Sequence, residues 1–141
     1  MANADEAPEG ALALSVITPV RRVAETSVSM VTLPGVDGDF GAMPGHMAFI
    51  TTLRPGVVTY DEGGMPRRVA VSGGIVDVTG GKVVILARTA EPAQEVDLDR
   101  ARRARESAES QLSALTYADE HWARWEAKLA RAIARITTAE G

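Results

Sequence analysis

The sequence predicts an α+β protein, an N-terminal antiparallel β-sandwich followed by a C-terminal antiparallel two-helix hairpin, and three observations carry that expectation. From Leu12 to Ala87, short β-branched runs are punctuated by glycine pairs and prolines, the pattern of strands joined by tight turns. After Gly81, glycine is absent until Gly141, while Ala, Arg, Glu and Leu dominate. Within that second half the apolar residues recur at helical rather than strand spacing.

In chain order, Met1 to Gly10 is acidic and Ala-rich, unlike a signal peptide, and reads as a disordered tail. Leu12, Leu14 and Val16 alternate with small or polar residues until Thr18-Pro19 breaks the run. A second run holds Val20, Val23, Val28, Met30 and Val31. Further strands are expected at Val57-Val58-Thr59-Tyr60, Arg68 to Val71, Ile75 to Val78 and Val83 to Ala87, with Gly63-Gly64, Gly73-Gly74 and Gly80-Gly81 as hairpin glycines. The expected boundaries are 11–88 for the sandwich, 89–96 for a linker and 97–138 for the hairpin. Asp97 or Asp99 suits the cap of the first helix, where a carboxylate meets the positive end of the dipole. That helix carries Leu98, Ala101, Ala108, Leu112 and Leu115 on one face and is expected to end near Leu115. The second, from about Glu120 to Thr138, carries Trp122, Trp125, Leu129, Ile133 and Ile136. Two narrow stripes of this kind are marginal alone and need a surface to lean on.

The 141 residues are 45% apolar and 24% charged, with a net charge of −4. That charge gives no electrostatic reason to expect nucleic-acid binding. The absence of cysteine removes disulfides and thiolate chemistry together, and no apolar run approaches a membrane span. His46 and His121 lie in different modules, without a second ligand at metal spacing. No phosphate loop or dinucleotide fingerprint opens a helix. No catalytic constellation can be named.

Three features remain as candidates. The stretch Gly38-Asp39-Phe40-Gly41-Ala42-Met43-Pro44-Gly45-His46, running on to Met47 and then to Leu53-Arg54-Pro55-Gly56, must turn repeatedly. It reads as a rigid connection between strands. Asp39 there suits either a local turn or an interface, and His46 either a structural hydrogen bond or a partner contact. In the second helix Arg124, Lys128, Arg131 and Arg135 share one face, opposed between Arg124 and Thr138 only by Glu126. That face is either solvated or a docking stripe for acidic groups.

These residues resemble the epsilon subunit family of the bacterial F-type ATP synthase. Gly38 to His46 resembles that family's G-E-x-G-x-x-P-G-H signature, Leu53-Arg54-Pro55-Gly56 its L-K-P-G, and Val71-Ser72-Gly73-Gly74-Ile75-Val76-Asp77-Val78 its V-S-G-G-x-x-E-V strand. The module order agrees as well, over about residues 12 to 138.

The resemblance implies a non-catalytic central-stalk rotor subunit with no required cofactor. It would sit peripherally on the cytoplasmic side of the bacterial inner membrane, held there by the complex and not inserted. The implied partners are the gamma subunit, the polar loops of the c-ring, and the alpha and beta subunits. Asp39, where the family usually has Glu, would contact the c-ring, and His46 and Met47 would contact gamma. Arg124, Lys128, Arg131 and Arg135 would meet acidic surface on alpha and beta in an extended, inhibitory hairpin. Some members also bind ATP in the folded hairpin through an [IL]-D-x-x-R-A motif, which Val96-Asp97-Leu98-Asp99-Arg100-Ala101 resembles. Glu91, Val96, Asp97, Arg100, Arg131 and Arg135 are the implied nucleotide contacts. Ser107 stands where those members have an arginine, so the implied ATP binding is weak. The alternative role is an ATP-sensing module whose hairpin nucleotide holds folded.

Overall fold

A computed structural model describes residues 7–45 and 48–141. Its strands are β1 (Leu12–Ile17), β2 (Arg22–Val28), β3 (Val31–Gly35), β4 (Gly38–Ala42), β5 (Phe49–Leu53), β6 (Gly56–Glu62), β7 (Met65–Val71), β8 (Gly74–Thr79), β9 (Lys82–Ala87) and β10 (Ala90–Pro92). A 3-10 turn at Ala93–Glu95 leads to helices α1 (Leu98–Ser113) and α2 (Trp122–Glu140).

The strands form one sheet in the order β10-β7-β6-β3-β5-β8-β9-β1-β2, with β4 paired to β3 off that path. Only Gly35 and Leu53 join β3 to β5 in register, so the sheet folds over there, and β2 returns to approach β6 and β10. The result is the expected sandwich, curled toward a barrel. Its core holds Leu12, Leu14, Val16, Leu33, Val58, Val76 and Ile85 among others, and every buried residue of that cluster lies between Leu12 and Ala90. At about 1.5–3 kcal/mol for each large aliphatic side chain buried, the sandwich closes its own core without either helix.

Several elements differ from the sequence reading for identifiable reasons. The sandwich is not wholly antiparallel, because β1 pairs parallel with β9. No hairpin ties β1 to β9, so nothing forces their directions to oppose. Val20 is 88% exposed and belongs to a turn rather than a strand, because Thr18 Oγ1 accepts from the N–H groups of Val20 and Arg21 and closes the chain locally. The Gly38 to Ala42 half of the central stretch is a strand, in register with β3 from Val31↔Ala42 to Gly35↔Gly38. Within the stretch expected as a linker, Ala90–Pro92 extends the sheet by pairing with β7. Gly63-Gly64 and Gly80-Gly81 do make hairpin turns, both residues of each at positive φ, but Gly73-Gly74 crosses between β7 and β8. Gly74 is there because a Cβ would sit 2.1 Å from the carbonyl oxygen of Leu86.

Asp97 rather than Asp99 caps α1, accepting from the Arg100 N–H at 3.1 Å. That helix stops at Ser113, short of Leu115. In α2 the buried residues are Ala132, Ala134, Ile136 and Thr138, while Ile133, expected in the seam, is 46% exposed. Buried residues two apart on a helix of 3.6 residues per turn lie on different faces. Accordingly α2 packs on α1 with one face and on β6 and β7 with another. The alanines permit this close double approach, which an apolar stripe of a single width does not announce.

Candidate functional site

The cationic face of α2 lies between its two packed faces, and the four residues there have different environments. Arg135 Nε donates to Glu91 Oε1 at 2.6 Å, tying α2 to β10. Both side chains are largely covered, at 37% and 26% exposure, so this pair is screened less than an ordinary surface bridge. Arg131 lines a small cavity with Ser72, Thr89, Glu91 and Arg135. Lys128 Nζ stands 4.4 Å from the centre of the Trp125 ring, a cation–π contact. Arg124 is exposed. The hairpin is therefore folded down on the sandwich, with Arg135 and Arg131 set against it and Arg124 exposed.

Further contacts fix the hairpin and the segment before it. Arg21, in the turn before β2, donates from both terminal nitrogens to both carboxylate oxygens of Glu95 at 2.9 Å. That hydrogen bonding raises the Arg21 pKa and holds the Glu95 carboxyl below its ordinary value. Arg102 joins α1 to Glu140 of α2 at 2.5 Å, and Arg68 of β7 donates to a Gly141 oxygen at 2.6 Å.

Of the implied nucleotide contacts, Glu91, Arg131 and Arg135 come together. Asp97 is occupied as a helix cap, and Val96 and Arg100 do not line the cavity those three share. That cavity measures about 10 Å³, whereas ligand sites span roughly 300–1,000 Å³. In the closed structure the six implied contacts do not line a single cavity.

In the central stretch, Asp39 of β4 is 64% exposed and forms an ion pair with Arg54. Two stretches singled out in the sequence thus meet at one corner. Phe40 and Phe49 stack edge to face beside them, with centroids 5.2 Å apart, and a Cβ at Gly35 would lie 2.9 Å from the Phe40 ring. His46 and Met47 lie outside the described residues.

The sequence reading missed an apolar face. Outward positions of neighbouring strands align as Ile17, Leu86, Ile75 and Thr52 across β1, β9, β8 and β5. Leu86 is 53% exposed, Ile75 49% and, one row away, Ile50 69%. The signal was present in β9, whose unbroken run Val83-Val84-Ile85-Leu86-Ala87 marks a strand apolar on both sides.

The family described as ATP synthase, Delta/Epsilon chain, beta-sandwich domain matches residues 11–93, and its long alpha-helix domain matches residues 94–140. The ATP synthase epsilon chain of Anaeromyxobacter dehalogenans (strain 2CP-1 / ATCC BAA-258) is 46% identical over 129 residues, covering 92% of this chain and 98% of that one. The epsilon chain of Nitratidesulfovibrio vulgaris (strain DP4) is 40% identical over 128 residues, covering 91% and 95%. The fold is also similar to a chain of the Euglena gracilis mitochondrial ATP synthase OSCP/F1/c-ring structure, with a TM-score of 0.78 and 24% identity over 96% of this chain and 84% of that one. With both modules matched in order and the relatives covered almost end to end, this chain belongs to the ATP synthase delta/epsilon chain family.

Proposed function

We propose that this chain is a non-catalytic rotor subunit of the central stalk of a proton-translocating F-type ATP synthase, peripheral to the cytoplasmic side of the bacterial inner membrane. Its sandwich is the rigid foot that couples c-ring rotation to gamma and the catalytic head, and its hairpin inhibits ATP hydrolysis when it opens. The observation that carries this reading is the independence of the two modules. The sandwich core contains no helical residue, while α2 rests on it through packing on β6 and β7 and the Arg135–Glu91 and Arg68–Gly141 hydrogen bonds, all outside that core. A hairpin held this way can leave without unfolding the foot. The exposed Leu86, Ile75 and Ile50 face supports a docking surface for gamma, and the Asp39 corner, 64% exposed, supports a polar contact with the c-ring loops. Arg124, Lys128, Arg131 and Arg135 would turn toward acidic surface of the alpha and beta subunits once freed.

The test is ATP hydrolysis by the assembled catalytic head with gamma, in the presence of the full chain or of a form ending at Glu95, which keeps the complete sandwich core. Faster hydrolysis with the shorter form is expected. Equal rates would overturn the inhibitory role and leave a mechanical coupler.

A further inference from the structure

Thr138, in the last turn of α2, is 0% exposed, and its Oγ1 has no hydrogen-bond partner among the described residues. A helical threonine can usually turn its hydroxyl to the carbonyl three or four residues earlier. Here that bond is not made. The polar ties on either side of it are satisfied, since Arg135 donates to Glu91 of β10 and a Gly141 oxygen accepts from Arg68 of β7.

The direction in which Thr138 points follows from the helix itself. At 3.6 residues per turn it lies about 20° around the axis from Arg131 and about 60° from Arg135, the two cations set against the sandwich. Glu140, which reaches α1 through Arg102, lies about 160° away. Thr138 therefore belongs to the face of α2 that packs on β6 and β7, not to the seam with α1. Its hydroxyl is shut off from water only while the hairpin is closed.

Resting on the reading of the hairpin as a movable inhibitor, we propose that Thr138 is a built-in bias against closure, its orphaned hydroxyl holding the closed state back from the stability that an apolar residue of the same shape would give it. Burying an unpaired hydroxyl is unfavourable, because its bonds to water are lost with nothing in exchange. When α2 lifts off the sandwich, water restores them. A penalty present in only one of two states shifts their balance by its full amount. Thr138 thus acts against the Arg135–Glu91 bond, which is made in closure and lost in opening. Relative to a valine at the same position, the closed-to-open ratio is lowered roughly three- to tenfold.

The experiment follows hydrogen exchange of the α2 amides in the isolated full chain, for wild type, Thr138→Val, Thr138→Ser and Thr137→Val. Thr138→Val removes the hydroxyl and keeps the shape, Thr138→Ser keeps the hydroxyl, and Thr137→Val makes the same exchange at the exposed neighbour. Thr138→Val is expected to slow α2 exchange roughly three- to tenfold, while Thr138→Ser exchanges at least as fast as wild type and Thr137→Val stays within about twofold. Exchange in Thr138→Val as fast as in wild type would overturn the proposal, because the hydroxyl would then carry no penalty. Equal slowing by Thr137→Val would also overturn it, since the effect would belong to the helix and not to the buried group. ATP hydrolysis by the catalytic head with gamma separates this inference from the reading it rests on. With Thr138→Val the rate should lie above that with wild type and no higher than that with the form ending at Glu95. Slower α2 exchange in Thr138→Val, together with equal hydrolysis by the full and shortened chains, would sink the inhibitory role alone and leave Thr138 as the bias against closure.

Discussion

Arg135 and Glu91 meet at 2.6 Å across the junction of hairpin and sandwich. The arginine available to acidic groups on a partner is thus already engaged by an acid of its own chain. Opening exchanges one carboxylate for another, so the balance depends on what the partner offers rather than on the helix alone. Removing either member leaves the other partly covered and unpaired. Arg135→Ala or Glu91→Ala should raise hydrogen exchange across α2 by an amount equivalent to about 1 kcal/mol, after allowance for the remaining exposure of both groups. Arg135→Lys should restore part of the protection.

The Arg21–Glu95 pair gives the hinge a dependence on acid. Its hydrogen bonds lower the Glu95 pKa in the folded protein, so the stabilisation is fully present above the unfolded carboxylate value of about 4.3. It is lost as pH falls through the lower folded value. Exchange at residues 93–97, corrected for intrinsic rate, should therefore rise on acidification below that range. Glu95→Gln should show the faster exchange already at neutral pH and remove the acid step.

Gly74→Ala should destabilise the sandwich severely, on the order of 3 kcal/mol or more, since both the φ of +153° and the approach to Leu86 exclude a Cβ. Gly63→Ala, in an open turn with nothing near the added atom, should cost about 1 kcal/mol. Thermal melts of the two variants make the comparison.

Ile133 and Ile136 separate the structure from the sequence pattern. Ile133→Glu should change stability by no more than about 0.5 kcal/mol, because its side chain is 46% exposed. Ile136→Ala, 7% exposed in the wild type, should cost about 2 kcal/mol or more. Exchange protection in α2 reads both.

Titration with MgATP at millimolar concentration should release no heat beyond dilution, since Glu91 and Arg135 are already engaged with each other in the closed structure. A saturable isotherm would mean that nucleotide displaces that pair.

The strands and the helix cap were legible because their signals are local. Glycine pairs at positive φ, β-branched runs and the Asp97 carboxylate each act within a few residues. The packing of α2 was not, since Ala132 and Ala134 look alike whether they face solvent or a second surface. Nor was the pairing of Arg54 with Asp39 or of Arg21 with Glu95, because ion pairs between distant segments leave no spacing to read. Of the candidate site, the sequence identified which α2 cations share a face. It did not show that Arg131 and Arg135 of that face meet the sandwich while Arg124 stays exposed.

The parallel register of β1 on β9, from Ala13↔Lys82 to Ile17↔Leu86, bears on how the molecule comes to be folded. The first strand translated can pair at once with β2 along one edge, but its other edge belongs to the ninth strand and stays open on the ribosome until nearly all of the sandwich has emerged. Completion of the sandwich is then a single late event of high contact order. The two helices are made last and meet a scaffold that has already closed.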